Sequence, residues 1–128
     1  MRIQVNQQAV FVGTGSGQHT PRTRTVVFLH GAGMDHSVWL MPARFFARRG
    51  FNVVAPDFPA HGGSEGQALT SVEAMADWLT AVLDTLGLGE VDLVGHSMGS
   101  LVALDWASRH ADRLHRLVLL GTSAPMPV

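Results

Sequence analysis

A serine framed by glycines, Gly95-His96-Ser97-Met98-Gly99, is the pattern in this chain best suited to covalent chemistry. A hydroxyl becomes a useful nucleophile when the backbone holds it clear of its neighbours and donors await the charge that forms on the attacked oxygen. The G-x-S-x-G spacing meets both needs when it joins a strand to a helix. The chain must then reverse within a few residues, which forces Ser97 into a strained backbone conformation. Side chains two residues to either side would collide in so tight a turn, and Gly95 and Gly99 carry none. The helix that starts there points its amides and positive dipole end at the same spot. The Met98 amide is therefore a candidate donor to a developing oxyanion.

A second glycine turn, His30-Gly31-Ala32-Gly33, follows the apolar run Val26-Val27-Phe28-Leu29. A turn at the carboxyl end of a central strand lets backbone amides face a nucleophile on the neighbouring strand. The Ala32 amide is the natural second oxyanion donor.

Both turns need parallel strands to bring them together, and the pattern supplies them. Residues 26–29 form a continuous apolar run, as in a strand buried on both faces. Residues 51–55, 91–94 and 114–120 read as further strands. Helices are predicted over 38–49, stopped by Gly50, and over 98–109. A third, near 70–86, carries Thr70 and Glu73 as a capping box. Its apolar face is Val72, Met75, Ala76, Leu79, Val82, Leu83 and Leu86. The first thirteen residues read as one or two edge strands. Trp39, Phe45, Phe46 and Trp78 are read as core. Strands alternating with helices give an α/β fold: a doubly wound, mostly parallel sheet with helices on both faces. The 128 residues form one domain.

Composition narrows the function classes. A net charge of −1 gives no basic field for a nucleic acid, and the arginines at 22, 24, 48 and 49 are scattered. The absence of cysteine excludes disulfides, thiolate metal sites and cysteine nucleophiles. The glycines of Gly13-Thr14-Gly15-Ser16-Gly17 are followed by Pro21 rather than a helix, which argues against dinucleotide binding. No run reaches membrane-span length, and the first residues lack a signal peptide's apolar stretch. The expectation is a cytoplasmic protein with no cofactor, metal, membrane or nucleic-acid partner.

The two turns, together with Asp57-Phe58-Pro59-Ala60-His61-Gly62-Gly63-Ser64, resemble the α/β-hydrolase family. In that family a strand ends in His-Gly and the next residue supplies an oxyanion amide. The loop after the following strand more often reads Asp-x-Pro-Gly-His-Gly-x-Ser, so Ala60 stands where a glycine is usual. The resemblance spans about residues 26–120 and the family's first six strands. A serine at the elbow, rather than the aspartate of dehalogenases and epoxide hydrolases, implies kinship with esterases, lipases, lactonases, thioesterases, carbon–carbon bond hydrolases and cofactor-free haloperoxidases. It implies a small-molecule acyl substrate.

The family orders its triad as serine, acid, histidine. After Ser97 come Asp105, His110, Asp112 and His115. His110 lies at the far end of a helix, about 20 Å away at ~1.5 Å per residue. Asp105 is at mid-helix. Asp112 and His115 precede a strand and so lie at the edge opposite the site. His30 and His61 read as histidines that hold their turns, and the side chain of His96 diverges from that of Ser97. His36 also lies at the site's edge of the sheet. A metal site from His30, His61 and His96 has no spacing signature.

The expectation is therefore an amino-terminal portion of a serine hydrolase, an incomplete domain truncated after its sixth strand. Ser97 is the nucleophile, Ala32 and Met98 are the oxyanion donors, and His30, Gly31, Gly33, Gly95, His96 and Gly99 support them. The strand at 117–120 is left as an open edge that invites self-association or the missing half. Three alternatives stay open: a non-catalytic scaffold of the same fold, half of a two-chain enzyme, and an acyltransferase.

Overall fold

The computed structural model describes residues 1–17, 19–20 and 24–121. Pro21, Arg22 and the terminal stretch 126–128 lie outside them. Strands are β1 (Arg2–Val5), β2 (Gln8–Gly13), β3 (Thr25–Leu29), β4 (Asn52–Pro56), β5 (Val91–His96) and β6 (Leu114–Leu120). Helices are α1 (Leu40–Arg48), α2 (Val72–Thr85) and α3 (Met98–Arg109).

The six strands form one sheet in the order β1-β2-β4-β3-β5-β6. The hairpin β1–β2 joins antiparallel to β4, and β4, β3, β5 and β6 run parallel. The chain winds outward from β3 to β4 through α1, then returns across β3 to β5 through α2. Crossovers of one hand that reverse direction must place their helices on opposite faces. Trp39 and Ala43 accordingly pack on Val26, Phe28, Val53 and Ala55 on one side. On the other, α2 and α3 cover Val27, Leu29, Val54 and Leu93. β3 and β4 are buried along their whole length, as the unbroken apolar runs require.

Three local readings are corrected. The helix predicted over 38–49 begins as a 3-10 turn, His36–Trp39, with the Asp35 carboxylate accepting the Ser37 amide at 2.8 Å. The α-helix proper starts at Leu40, which puts Pro42 in the first turn, where its missing N–H leaves no helical bond unmade. The cap of α2 is Ser71, not Thr70: Ser71 is extended and its Oγ accepts the Ala74 amide at 3.0 Å. Glu73 is then one residue short of the box position. Phe45 is 49% exposed rather than core, with the Arg49 guanidinium 3.6 Å from its ring centroid. Trp39 and Trp78 are buried as expected.

The face of α2 that carries Met75, Ala76, Leu79, Val82 and Leu83 is buried, and Trp78 joins it. Trp106 of α3 is fully enclosed, and its indole N–H donates to Thr80 Oγ1 at 3.0 Å, tying α3 to α2. Among the described residues no strand pairs with the outer edge of β6, where Val118 and Leu120 are 46% and 44% exposed.

Candidate active site

The switch from outward to returning winding falls between β3 and β5, and their carboxyl ends form the crevice where this class of sheet binds ligands. Both glycine turns open into that crevice. Gly95 pairs with Leu29 across the β3–β5 ladder, so the Ser97 turn and the His30-Gly31-Ala32-Gly33 turn leave the sheet side by side.

Ser97 sits between β5 and α3 with φ 55° and ψ −119°, a left-handed backbone conformation that L side chains rarely adopt. Its amide donates to the Leu120 carbonyl at 3.0 Å, and its carbonyl accepts the Ser100 amide at 2.9 Å. The serine is thus strained and held by bonds on both sides. The strain costs roughly 1–3 kcal/mol, and glycine's extra unfolded-state entropy costs roughly 0.5–1 kcal/mol. Ser97→Gly is therefore expected to stabilise the fold by about 1 kcal/mol in urea unfolding, while Ser97→Ala gains nothing.

The two elbow glycines are needed for different reasons. A Cβ on Gly95 would strike the Gly99 carbonyl and Ser100 Cα, inside the turn itself. A Cβ on Gly99 would strike the carbonyls of Leu29 and His30, so this glycine lets α3 settle onto the end of β3. Gly31 lies against the serine, where an added Cβ would meet the Ser97 Cβ at 3.2 Å. Neither the Ala32 nor the Met98 amide donates to another described residue.

The loop after β4 clasps the Ala32 turn. His30 is fully buried; its Nε2 accepts the Phe58 amide at 3.1 Å and its Nδ1 donates to the Gly31 carbonyl at 2.7 Å. Burial, the largest influence, pushes its pKa below the ordinary histidine range. His61 accepts the Gly33 amide at Nε2 (3.2 Å) and donates from Nδ1 to the Pro59 carbonyl (2.9 Å). Ala60 adopts a left-handed conformation with φ 65°, the region that favours glycine.

In the sequence Asp57 is one residue of the loop motif; in the structure its carboxylate is fully buried at the centre of the clasp. It accepts the His36 amide (2.7 Å), the His36 Nδ1 proton (2.9 Å) and the Gly63 amide (2.9 Å). Ser64 Oγ donates to its carbonyl at 2.6 Å and accepts the Phe11 amide at 3.0 Å. Donor atoms of Asp35, His36 and Asp57 converge within 4.8 Å, a spacing that suits a cation. His36 and Asp57 are engaged with each other and Asp35 caps the 3-10 turn, which makes the cluster a loop clasp. His96 packs edge-on against Trp39, with centroids 6.4 Å apart, and its Nδ1 lies beside Gly31.

The downstream titratable groups are placed elsewhere. His110 stacks on Trp106 and reaches Thr80 at 3.3 Å, at the far end of α3. Asp105 pairs with Arg109 at 2.7 Å along the helix. Asp112 lies in the 3-10 turn Ala111–Arg113. His115 meets Asp92 at 3.1 Å, beside the bidentate Arg24–Asp92 pair, at the amino-terminal edge of the sheet. A cleft of about 730 Å³ at that edge, lined by Arg24, Asn52, Asp92 and His115, therefore lies on the wrong side of the sheet for chemistry at Ser97. None of these groups meets Ser97.

A strained strand–serine–helix turn set beside an amide-bearing glycine turn, on a sheet of this order, defines an α/β-hydrolase core. The family model for the alpha/beta hydrolase fold matches residues 24–128, and the chain belongs to that family. It is 30% identical over 122 residues to (E)-2-((N-methylformamido)methylene)succinate hydrolase of Acinetobacter baylyi, covering 94% of this chain and 44% of that protein. It is 42% identical over 100 residues to pimeloyl-[acyl-carrier protein] methyl ester esterase of Aromatoleum aromaticum, covering 77% of this chain and 37% of that one. The enol-lactonase from Burkholderia xenovorans superposes with a TM-score of 0.81 at 26% identity, covering 91% of this chain and 45% of its own. The chain thus spans less than half the length of these relatives. No helix among the described residues is long and apolar enough to cross a membrane.

Proposed function

We propose that this chain carries the nucleophile and oxyanion machinery of a serine hydrolase acting on an ester, thioester or related acyl substrate. Ser97 attacks the acyl carbonyl, the Ala32 and Met98 amides hold the oxyanion, and water cleaves the acyl-enzyme. The observation that carries this reading is Ser97 at φ 55° in a turn packed against Gly31. The hydrolase names borne by the relatives support it. The base and its carboxylate come from beyond the described residues: His110 and His115 are bonded far from the elbow, His30, His36 and His61 are engaged in the loop clasp, and His96 packs against Trp39. Further chain, or a second polypeptide, adds along the open edge of β6.

Labelling by a fluorophosphonate probe, read by intact mass, tests this reading. With a chain that supplies the base present, we expect one adduct that Ser97→Ala abolishes. On the 128-residue chain alone we expect little or no adduct. An adduct that survives Ser97→Ala sinks the nucleophile assignment. Rapid stoichiometric labelling of the chain alone sinks the placement of the base.

A further inference from the structure

This inference rests on the reading of Ala32 as an oxyanion donor and asks what aims its amide. A trans peptide is planar, so the Gly31 carbonyl and the Ala32 N–H point in opposite directions within one rigid unit. Whatever holds the carbonyl therefore sets the direction of the amide. The Gly31 carbonyl accepts from His30 Nδ1 at 2.7 Å and from the Met34 amide at 3.2 Å. The next peptide unit is held from its other end, where the Gly33 amide donates to His61 Nε2 at 3.2 Å.

The proton positions follow from the partners. Phe58 N–H can only donate, so His30 Nε2 must present a lone pair and the single ring proton sits on Nδ1. Gly33 N–H imposes the same tautomer on His61, whose Nδ1 donates to the Pro59 carbonyl. Two neutral rings of one tautomer thus grip the peptide units before and after Ala32. Both are anchored to the loop 57–64.

We propose that His30 and His61 are positioning residues that fix the direction of the Ala32 amide, His30 by donating from Nδ1 to the Gly31 carbonyl and His61 by accepting from Gly33. The burial of His30, with its pKa lowered, keeps the ring neutral as this grip requires. The titratable groups facing it are His61, Asp57 and Asp35.

Two substitutions at His30 separate aiming from mere packing. His30→Asn retains a donor at the place of Nδ1 and loses the acceptor for Phe58. His30→Gln reaches the Phe58 amide with its oxygen and loses the donor to Gly31. Each deletes one hydrogen bond. The readout is the ¹H–¹⁵N resonance and hydrogen exchange of the Ala32 amide in the 128-residue chain, with urea unfolding alongside. We expect His30→Asn to leave the Ala32 resonance near its wild-type position. We expect His30→Gln to shift it and to speed its exchange at least tenfold at comparable stability. Long-range ¹⁵N correlations should show both wild-type rings protonated at Nδ1. Equal effects of the two substitutions on Ala32, or a wild-type His30 protonated at Nε2, overturn the proposal. A fluorophosphonate adduct that survives Ser97→Ala leaves these readouts in place and counts against the nucleophile and oxyanion reading alone.

Discussion

Gly99→Ala is expected to destabilise the fold by about 3 kcal/mol, although alanine is the better helix former by roughly 1 kcal/mol. The new methyl group would land on the carbonyls of Leu29 and His30, which belong to the backbone of the central strand and cannot rotate away. Relief requires α3 to lift off β3, and the crevice between the two glycine turns opens with it. Gly89 is the matched control: nothing lies within 4 Å of an added Cβ and its φ is not positive. Gly89→Ala should change stability by less than ~0.5 kcal/mol. Urea unfolding of the two variants decides the matter. Equal midpoints would mean that α3 is not seated on β3 as described.

Trp106→Ala is expected to cost more, about 3–5 kcal/mol. The side chain is 0% exposed, its N–H is satisfied by Thr80, and its ring stacks on His110 with centroids 5.0 Å apart. Removing it empties the seam between α2 and α3 and leaves Thr80 Oγ1 without the indole donor. For a domain of ordinary stability, roughly 5–15 kcal/mol, that is a large share. Trp106→Phe retains most of the volume and forfeits the hydrogen bond, so a loss of about 1–2 kcal/mol is expected. Thermal or urea unfolding should rank wild type above Trp106→Phe, and Trp106→Phe above Trp106→Ala. A Trp106→Ala protein within ~1 kcal/mol of wild type would show that this seam contributes little.

Much of this architecture is legible in the residues because its causes are local. The unbroken apolar runs of β3 and β4 follow from burial on both faces, and the alternation of strand and helix leaves few topologies. Gly95 and Gly99 mark the elbow because the turn has no room for side chains. The cap of α2 was misplaced by one residue because Thr70 and Ser71 are chemically alike at that scale, and only the extended backbone of Ser71 distinguishes them. Phe45 read as core because it is large and apolar, whereas an arginine on its own helix covers its outer face. The clasp was the harder part. That His30 and His61 hold their turns is a fair expectation for histidines beside glycines. That Asp57 and His36 join them at the centre depends on contacts across 21 residues, to which no periodicity points.

The bond from Ser97 N–H to the Leu120 carbonyl couples the strained turn to the rim of the sheet. Ser97 holds an unfavourable conformation only while something outside the turn restrains it, and part of that restraint comes from the outermost strand. The elbow and β6 are therefore mechanically in series, and fraying of the rim releases tension at the serine. The stability of this backbone at position 97 then tracks the occupancy of the last ladder, so whatever steadies β6 steadies the strained turn as well.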